Sequence, residues 1–199
     1  MKNFLIALII ILIPVKSFGL IEVDITRGNL NPLPVAVSPL SIDEDSRKNF
    51  ENILKKKNIG SEISLIVENN LRVSGLFNPL NKDAFLQEPD IANLKPRFED
   101  WNLIKAQALI TGKVSYVEKK LRVEFRLWDV LAGKEMMALA FTTVPNNWRR
   151  VGHIITDKVY ERLTGERGYF DTRIIYVAEE GPKTQRVKKL AIMDQDGAN

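Results

Sequence analysis

Leu121-Arg122-Val123-Glu124-Phe125-Arg126-Leu127 alternates apolar and charged residues without a break. Successive side chains of a strand leave on opposite faces, so this run builds one apolar and one charged face, as in a strand lying half-buried on a core. Residues 108–117 just before it are also strand-like, and Glu118-Lys119-Lys120 is short and polar enough to be the turn between the two. Ala132-Gly133-Lys134 supplies a second turn and residues 136–143 a third strand. Three strands in immediate succession are predicted to pair antiparallel.

Helical periods flank this sheet. After Pro145, Asn146 and Asn147, the apolar residues Trp148, Val151, Ile155, Val159 and Leu163 recur every three or four positions, and Gly165 ends the run. Residues 43–58 are helix-compatible, with Phe50, Ile53 and Leu54 on one stripe and Gly60 as the interruption. Ser61 is the expected cap of a second helix carrying Ile63, Ile66, Val67, Asn70, Leu71 and Ser74, with Gly75 as its left-handed stop. Residues 33–40 read as extended, and Pro32, Pro34 and Pro39 suit an edge strand because proline brings no backbone donor. Residues 78–97, rich in Asn, Pro and charge, read as a long connection, and 99–105 as a short helix presenting Trp101 and Ile104. The prediction is an α+β domain over residues 20–165, a mixed sheet with helices packed on it. Trp128 falls on the charged side of its strand and is expected to meet a partner or the following domain; Trp148 is expected in the core.

The amino terminus has a different character. A basic start at Lys2, an apolar run over residues 4–15 and a small-x-small site at Ser17 and Gly19 make a secretory signal peptide over residues 1–19, with cleavage expected between Gly19 and Leu20. Pro14 and Lys16 close the run well short of the about 20 apolar residues that a membrane span requires. With no cysteine, the chain has neither a disulfide nor a lipid attachment point, so the exported product is expected to be soluble and stabilised by its core. The formal charge of +4 includes Lys2 and Lys16, which leaves 4 − 2 = +2 after cleavage, a weak pointer to an anionic partner, whereas a nucleic-acid binder shows a clustered basic face. Lys55-Lys56-Lys57 reads as a solvated helix end.

Beyond residue 165 come two more strands, 172–179 and 186–194, and then Asp196-Gly197, a pair that favours a tight turn. Two strands with no further partner, ending on a turn, are expected to belong to an interrupted second domain over residues 166–199, draped on the first domain or frayed.

The stretch from Gly152-His153 through Val159-Tyr160-Glu161-Arg162-Leu163-Thr164-Gly165-Glu166-Arg167-Gly168-Tyr169-Phe170-Asp171-Thr172-Arg173-Ile174-Ile175-Tyr176-Val177 resembles the signature joining the two domains of the TolB family. Ile59-Gly60, Arg72-Val73-Ser74-Gly75-Leu76-Phe77-Asn78-Pro79-Leu80, Ile110-Thr111-Gly112-Lys113-Val114 and Asp194-Gln195-Asp196-Gly197-Ala198-Asn199 fit in the same order. The resemblance implies a non-enzymatic periplasmic adaptor of the Tol-Pal envelope system. It would have a small α/β domain and then a six-bladed β-propeller, of which this chain carries a truncated first blade. It also implies two partners: inner-membrane TolA, bound through the mature amino-terminal strand, and outer-membrane Pal, bound through the propeller that is largely missing here. Contact with membranes would run only through these partners.

The TolA-binding residues carried over are Leu20, Ile21, Glu22, Val23, Asp24 and Ile25, within a mobile strand over residues 20–28. Their alternation supports the transfer, since an exposed strand at a free end can add itself to the edge of a partner's sheet. Pairing with the chain's own sheet is the competing expectation.

Other chemistry finds little footing. His153, the single histidine, sits on a helix with no Gly-x-Ser-x-Gly elbow to accompany it, so a structural role is expected and no catalytic residue is assigned. Asp194, Asp196 and Asn199 place oxygen donors at intervals but without the later bidentate Glu of a calcium loop, so a hairpin turn is expected, with no metal and no cofactor. The layout is similar to anticodon-binding domains, but export removes an RNA substrate and fold does not carry function. The rival reading is a periplasmic hydrolase or binding protein, which requires a pocket with convergent polar groups.

Overall fold

The computed structural model describes residues 31–198. The signal peptide over residues 1–19, its cleavage site and the partner-binding strand over residues 20–28 lie outside the described residues.

The alternating run forms strand β5 (Lys120–Asp129), paired antiparallel with β4 (Ala108–Val117) and β6 (Lys134–Thr143), as the turns between them predicted. Leu121, Val123, Phe125 and Leu127 are at most 1 % exposed, while Arg122 and Glu124 on the other face pair at 2.8 Å. Glu118 and Lys119 make the two-residue turn between β4 and β5 with positive φ at both positions, the backbone twist that a tight hairpin favours. The remaining strands, β1 (Leu33–Val37), β2 (Ser41–Ile42) and β3 (Phe77–Pro79), join in parallel, giving the order β3-β1-β4-β5-β6 with β2 also beside β4.

The expected edge position of the proline-rich strand is therefore corrected: β1 is paired on both sides. Its prolines are tolerated because the β1–β4 ladder opens at Val35 opposite Ala108, one residue after Pro34. The Pro34 carbonyl still accepts from the Gln107 amide at 3.0 Å, so only a donor is missing, at a place where the neighbouring strand has not begun.

Helices α1 (Glu44–Leu54), α2 (Ile59–Val73) and α5 (Trp148–Thr164) cover the apolar face. Asp43 caps α1 by accepting from the Ser46 amide at 2.8 Å. Helix α2 is capped by Asn58, not Ser61: the Asn58 carboxamide oxygen accepts from the Ser61 amide at 3.2 Å. Gly60 thus lies inside the first turn of α2, where a Cβ would stand 2.2 Å from the Leu40 carbonyl oxygen, so glycine is there for close approach and not as an interruption. Gly75 and Gly165 end α2 and α5 with positive φ, as expected. Phe50, Ile63, Leu71, Phe125, Ile155, Val159 and Leu163 share one core, and Phe170 from the segment after α5 packs into it against Tyr160.

Residues 78–97 are not a plain connection. They contain most of β3, a short 3-10 turn (Lys82–Ala84) and α3 (Pro89–Leu94), and together with α4 (Phe98–Leu103) they fold over one end of the opposite sheet face. Ala36, Leu109, Val130, Ala92 and Trp101 form a second, smaller core there, with Leu80, Phe85 and Trp128 packed against it. Trp128 consequently contacts its own domain: its indole N–H donates to Thr111 Oγ1 at 2.9 Å and its ring meets Phe98 edge-on. Trp148 is in the main core, as expected.

The chain closes with the antiparallel hairpin β7 (Arg173–Glu180) and β8 (Val187–Asp194), a separate two-stranded sheet. No helix among the described residues is long and apolar enough to cross a membrane.

Candidate functional site: the polar junction between domain and hairpin

Helices α2 and α5 lie side by side because Gly152 presents no side chain to Ile66; a Cβ there would stand 2.9 Å from Ile66 Cγ2. This close approach brings Asn70 of α2 against His153 and Thr156 of α5, all three buried. Buried polar groups require partners, and these supply one another. Asn70 Nδ2 donates to His153 Nδ1 at 2.9 Å and to Thr156 Oγ1 at 3.2 Å, while the Thr156 hydroxyl donates to the Gly152 carbonyl at 2.9 Å. Asn70 Oδ1 accepts from Gln195 Nε2 at 2.8 Å. A network internal to the helices therefore reaches the turn after β8.

That turn is the hairpin type that Asp196-Gly197 predicted: the Gly197 amide donates to the Asp194 carbonyl at 2.9 Å and the Asp194 amide to the Ala198 carbonyl at 2.8 Å. It is fastened by charge. Arg149 at the start of α5 pairs with Asp196 and stands 3.8 Å from Asp194. Arg150 makes a two-pronged pair with Asp171, whose hydrogen bond raises the Arg150 pKa above its ordinary value. Asp157, two turns further on, accepts from the Phe170 amide at 2.7 Å and the Asp171 amide at 3.1 Å. The hairpin is thus fastened to the domain at the one end where β7 begins and β8 closes, while its strands stay exposed.

His153 is 2 % exposed, and its Nε2 has no hydrogen-bond partner while lying 3.7 Å from Asp196. Burial lowers its pKa from the ordinary histidine value, against the pull of Asp196 and Asp194. His153, Asp194 and Asp196 offer ligand atoms within 4.8 Å of one another. Arg149 already pairs with Asp196, however, and with Nδ1 accepting from Asn70 the neutral ring carries its hydrogen on Nε2, so no lone pair points at the carboxylates. The hydroxyl in this network, that of Thr156, donates within its own helix and presents no nucleophile to His153. A cleft of about 430 Å³ opens beside the junction, lined by Asn70, Arg149, Gln195 and Asp196 together with apolar Leu65 and Val73. The arrangement is equipped to hold two elements together.

Sequence reasoning placed His153 in a structural role and the 194–197 segment in a turn, but it did not join them. Asn70 is expected only as one of the positions recurring at helical spacing, with no polar partner assigned to it. The usable signal was that Asn70 and His153 both fall on buried helical faces, where each requires a polar partner.

The family model for the TolB amino-terminal domain matches residues 21–136. The Tol-Pal system protein TolB of Pelagibacter ubique (strain HTCC1062) is 82% identical over 192 residues, covering 96% of this chain and 43% of that protein, so the chain spans less than half of this relative's length. The crystal structure of TolB from Acinetobacter baumannii superposes with a TM-score of 0.66 at 22% identity, over 85% of this chain and 37% of that one, and shows the same fold. With a mixed sheet under its helices, two carboxy-terminal strands consistent with the opening of a propeller blade, and a family match over more than half its length, the chain belongs to the TolB family.

Proposed function

We propose that the chain is a non-enzymatic periplasmic adaptor of the Tol-Pal system, exported by the signal over residues 1–19. Its mature amino-terminal strand, Leu20 to Ile25, engages TolA, and the propeller that its hairpin begins engages Pal. The two contacts link the envelope layers and serve outer-membrane integrity and constriction during division. The observation that carries this reading is the 82% identity over 192 residues to a protein named as a Tol-Pal system component.

The alternation of Ile21, Val23 and Ile25 with Glu22 and Asp24 supports strand addition to a TolA sheet edge. Backbone hydrogen bonds would give the affinity and alternate side chains the selectivity.

Titration of the periplasmic part of TolA against the signal-free chain, and against the same chain lacking residues 20–25, tests the reading. Binding is expected for the first and at least tenfold weaker binding for the second. Equal affinity for both refutes the assignment.

A further inference from the structure

We propose that His153 is a proton-operated latch for the carboxy-terminal hairpin: protonation of its Nδ1 breaks the bond from Asn70 and loosens the hold of Asn70 on Gln195. The inference goes beyond the adaptor reading and does not depend on it.

The hydrogen bonds form one consistent chain of donors and acceptors. Thr156 gives its hydroxyl hydrogen to the Gly152 carbonyl, so its oxygen accepts, and the Asn70 group facing it is the donating Nδ2. The same Nδ2 faces His153 Nδ1, which must accept and is therefore unprotonated. Asn70 Oδ1 is left for Gln195. A proton on Nδ1 would set two N–H groups against each other. Turning the Asn70 amide would relieve this clash but would then set Nδ2 against Gln195 Nε2 and Oδ1 against the committed Thr156 oxygen. With Gln195 donating through Nε2 and the Thr156 hydroxyl given to the Gly152 carbonyl, the hydrogen bonds at 2.9, 3.2 and 2.8 Å cannot all survive protonation.

The charges around the ring pull both ways. From the turn, Asp196 and Asp194 favour the imidazolium; from the linker, so does Asp171, already paired with Arg150. Arg149 on the ring's own helix opposes it, and Arg173 on β7 lies 3.9 Å from Asp194. Helix α2 contributes the neutral Asn70. Burial outweighs the carboxylates, and the folded-state pKa lies below the ordinary value. The sign follows. A released or unfolded state binds the proton more tightly, so the latch is complete above about pH 6.5, the ordinary histidine value, and weakens as pH falls below it.

Two measurements on the full chain test this. Hydrogen exchange over residues 187–198, corrected for the intrinsic pH dependence, is expected to quicken by up to about tenfold between pH 7.5 and 5.5, the limit set by one proton with a released-state pKa of about 6.5. In His153→Gln, which keeps an acceptor for Asn70 but does not titrate, that rise is expected to vanish. A flat wild-type profile, or a rise that persists in the variant, overturns the proposal.

Because the chain has a single histidine, its imidazole proton resonance reports this site alone. A midpoint below 6.5 that falls further in Asp196→Asn is expected; a midpoint at or above 6.5 overturns the latch even if His153→Gln fails to fold. Slowing of exchange by added Zn²⁺ at pH 7.5 that is lost in His153→Gln would also overturn it, in favour of a cation site.

Discussion

The two antiparallel hairpins of this chain, β4–β5 and β7–β8, share a period of two but differ in what covers them. Every inward residue of β5 is sealed by helices, whereas Ile175 is 63 % exposed, Val177 58 % and Leu190 74 %. The first hairpin is held by apolar burial, worth about 25 cal/mol per Å² removed from water. The second is held by polar contacts at one end: Arg149 and Asn70 on its closing turn, Arg150 and Asp157 on the segment leading into it. One sheet is a finished core; the other is a pair of strands with an exposed apolar surface.

Two predictions sharpen this contrast. The largest effect is expected from truncating the two hairpins in turn. Phe125→Ala removes a core aromatic stacked on Phe141 and is expected to cost about 3–5 kcal/mol in urea unfolding. Leu190→Ala on the open strand is expected to stay within about 0.5 kcal/mol. Comparable losses at the two positions would show that the hairpin is buried in solution and break the comparison.

A smaller effect is expected at the fastening. Asp157→Ala leaves the Phe170 and Asp171 amides without their acceptor and is expected to cost about 1–3 kcal/mol. The loss should appear as faster exchange of those two amides while the β4–β5 amides keep their protection. Uniform loss across both regions would mean that Asp157 supports the domain itself.

The legible and illegible parts of the sequence divide along the same line. Strict alternation in β5 and the three-to-four spacing in α5 were readable because each element buries one face against a single layer. Residues 78–97 were misread because the apolar residues of that polar stretch are scattered: Leu80, Phe85 and Ala92 become a core only once the backbone folds them onto Leu109 and Trp101. Trp128 looks unpartnered for the same kind of reason: Thr111 on the neighbouring strand and Phe98 at the start of α4 meet it only through the fold. The central placement of β1 was hidden by its prolines, whose cost depends on where the neighbouring strand begins. The junction of Asn70, His153 and Gln195 spans 125 positions of sequence, and no local pattern carries such a contact. The amino-terminal strand, by contrast, was read from its own alternation and from family resemblance, and it lies outside the described residues.

The most direct test of the contrast between a finished core and a fastened hairpin is native-state hydrogen exchange followed for β5 and β8 in one sample at pH 7.5. Amides of β5 are expected to exchange only with global unfolding, and those of β8 through a local opening of lower free energy that Asp157→Ala lowers further. Equal protection of the two strands, unmoved by Asp157→Ala, would contradict it.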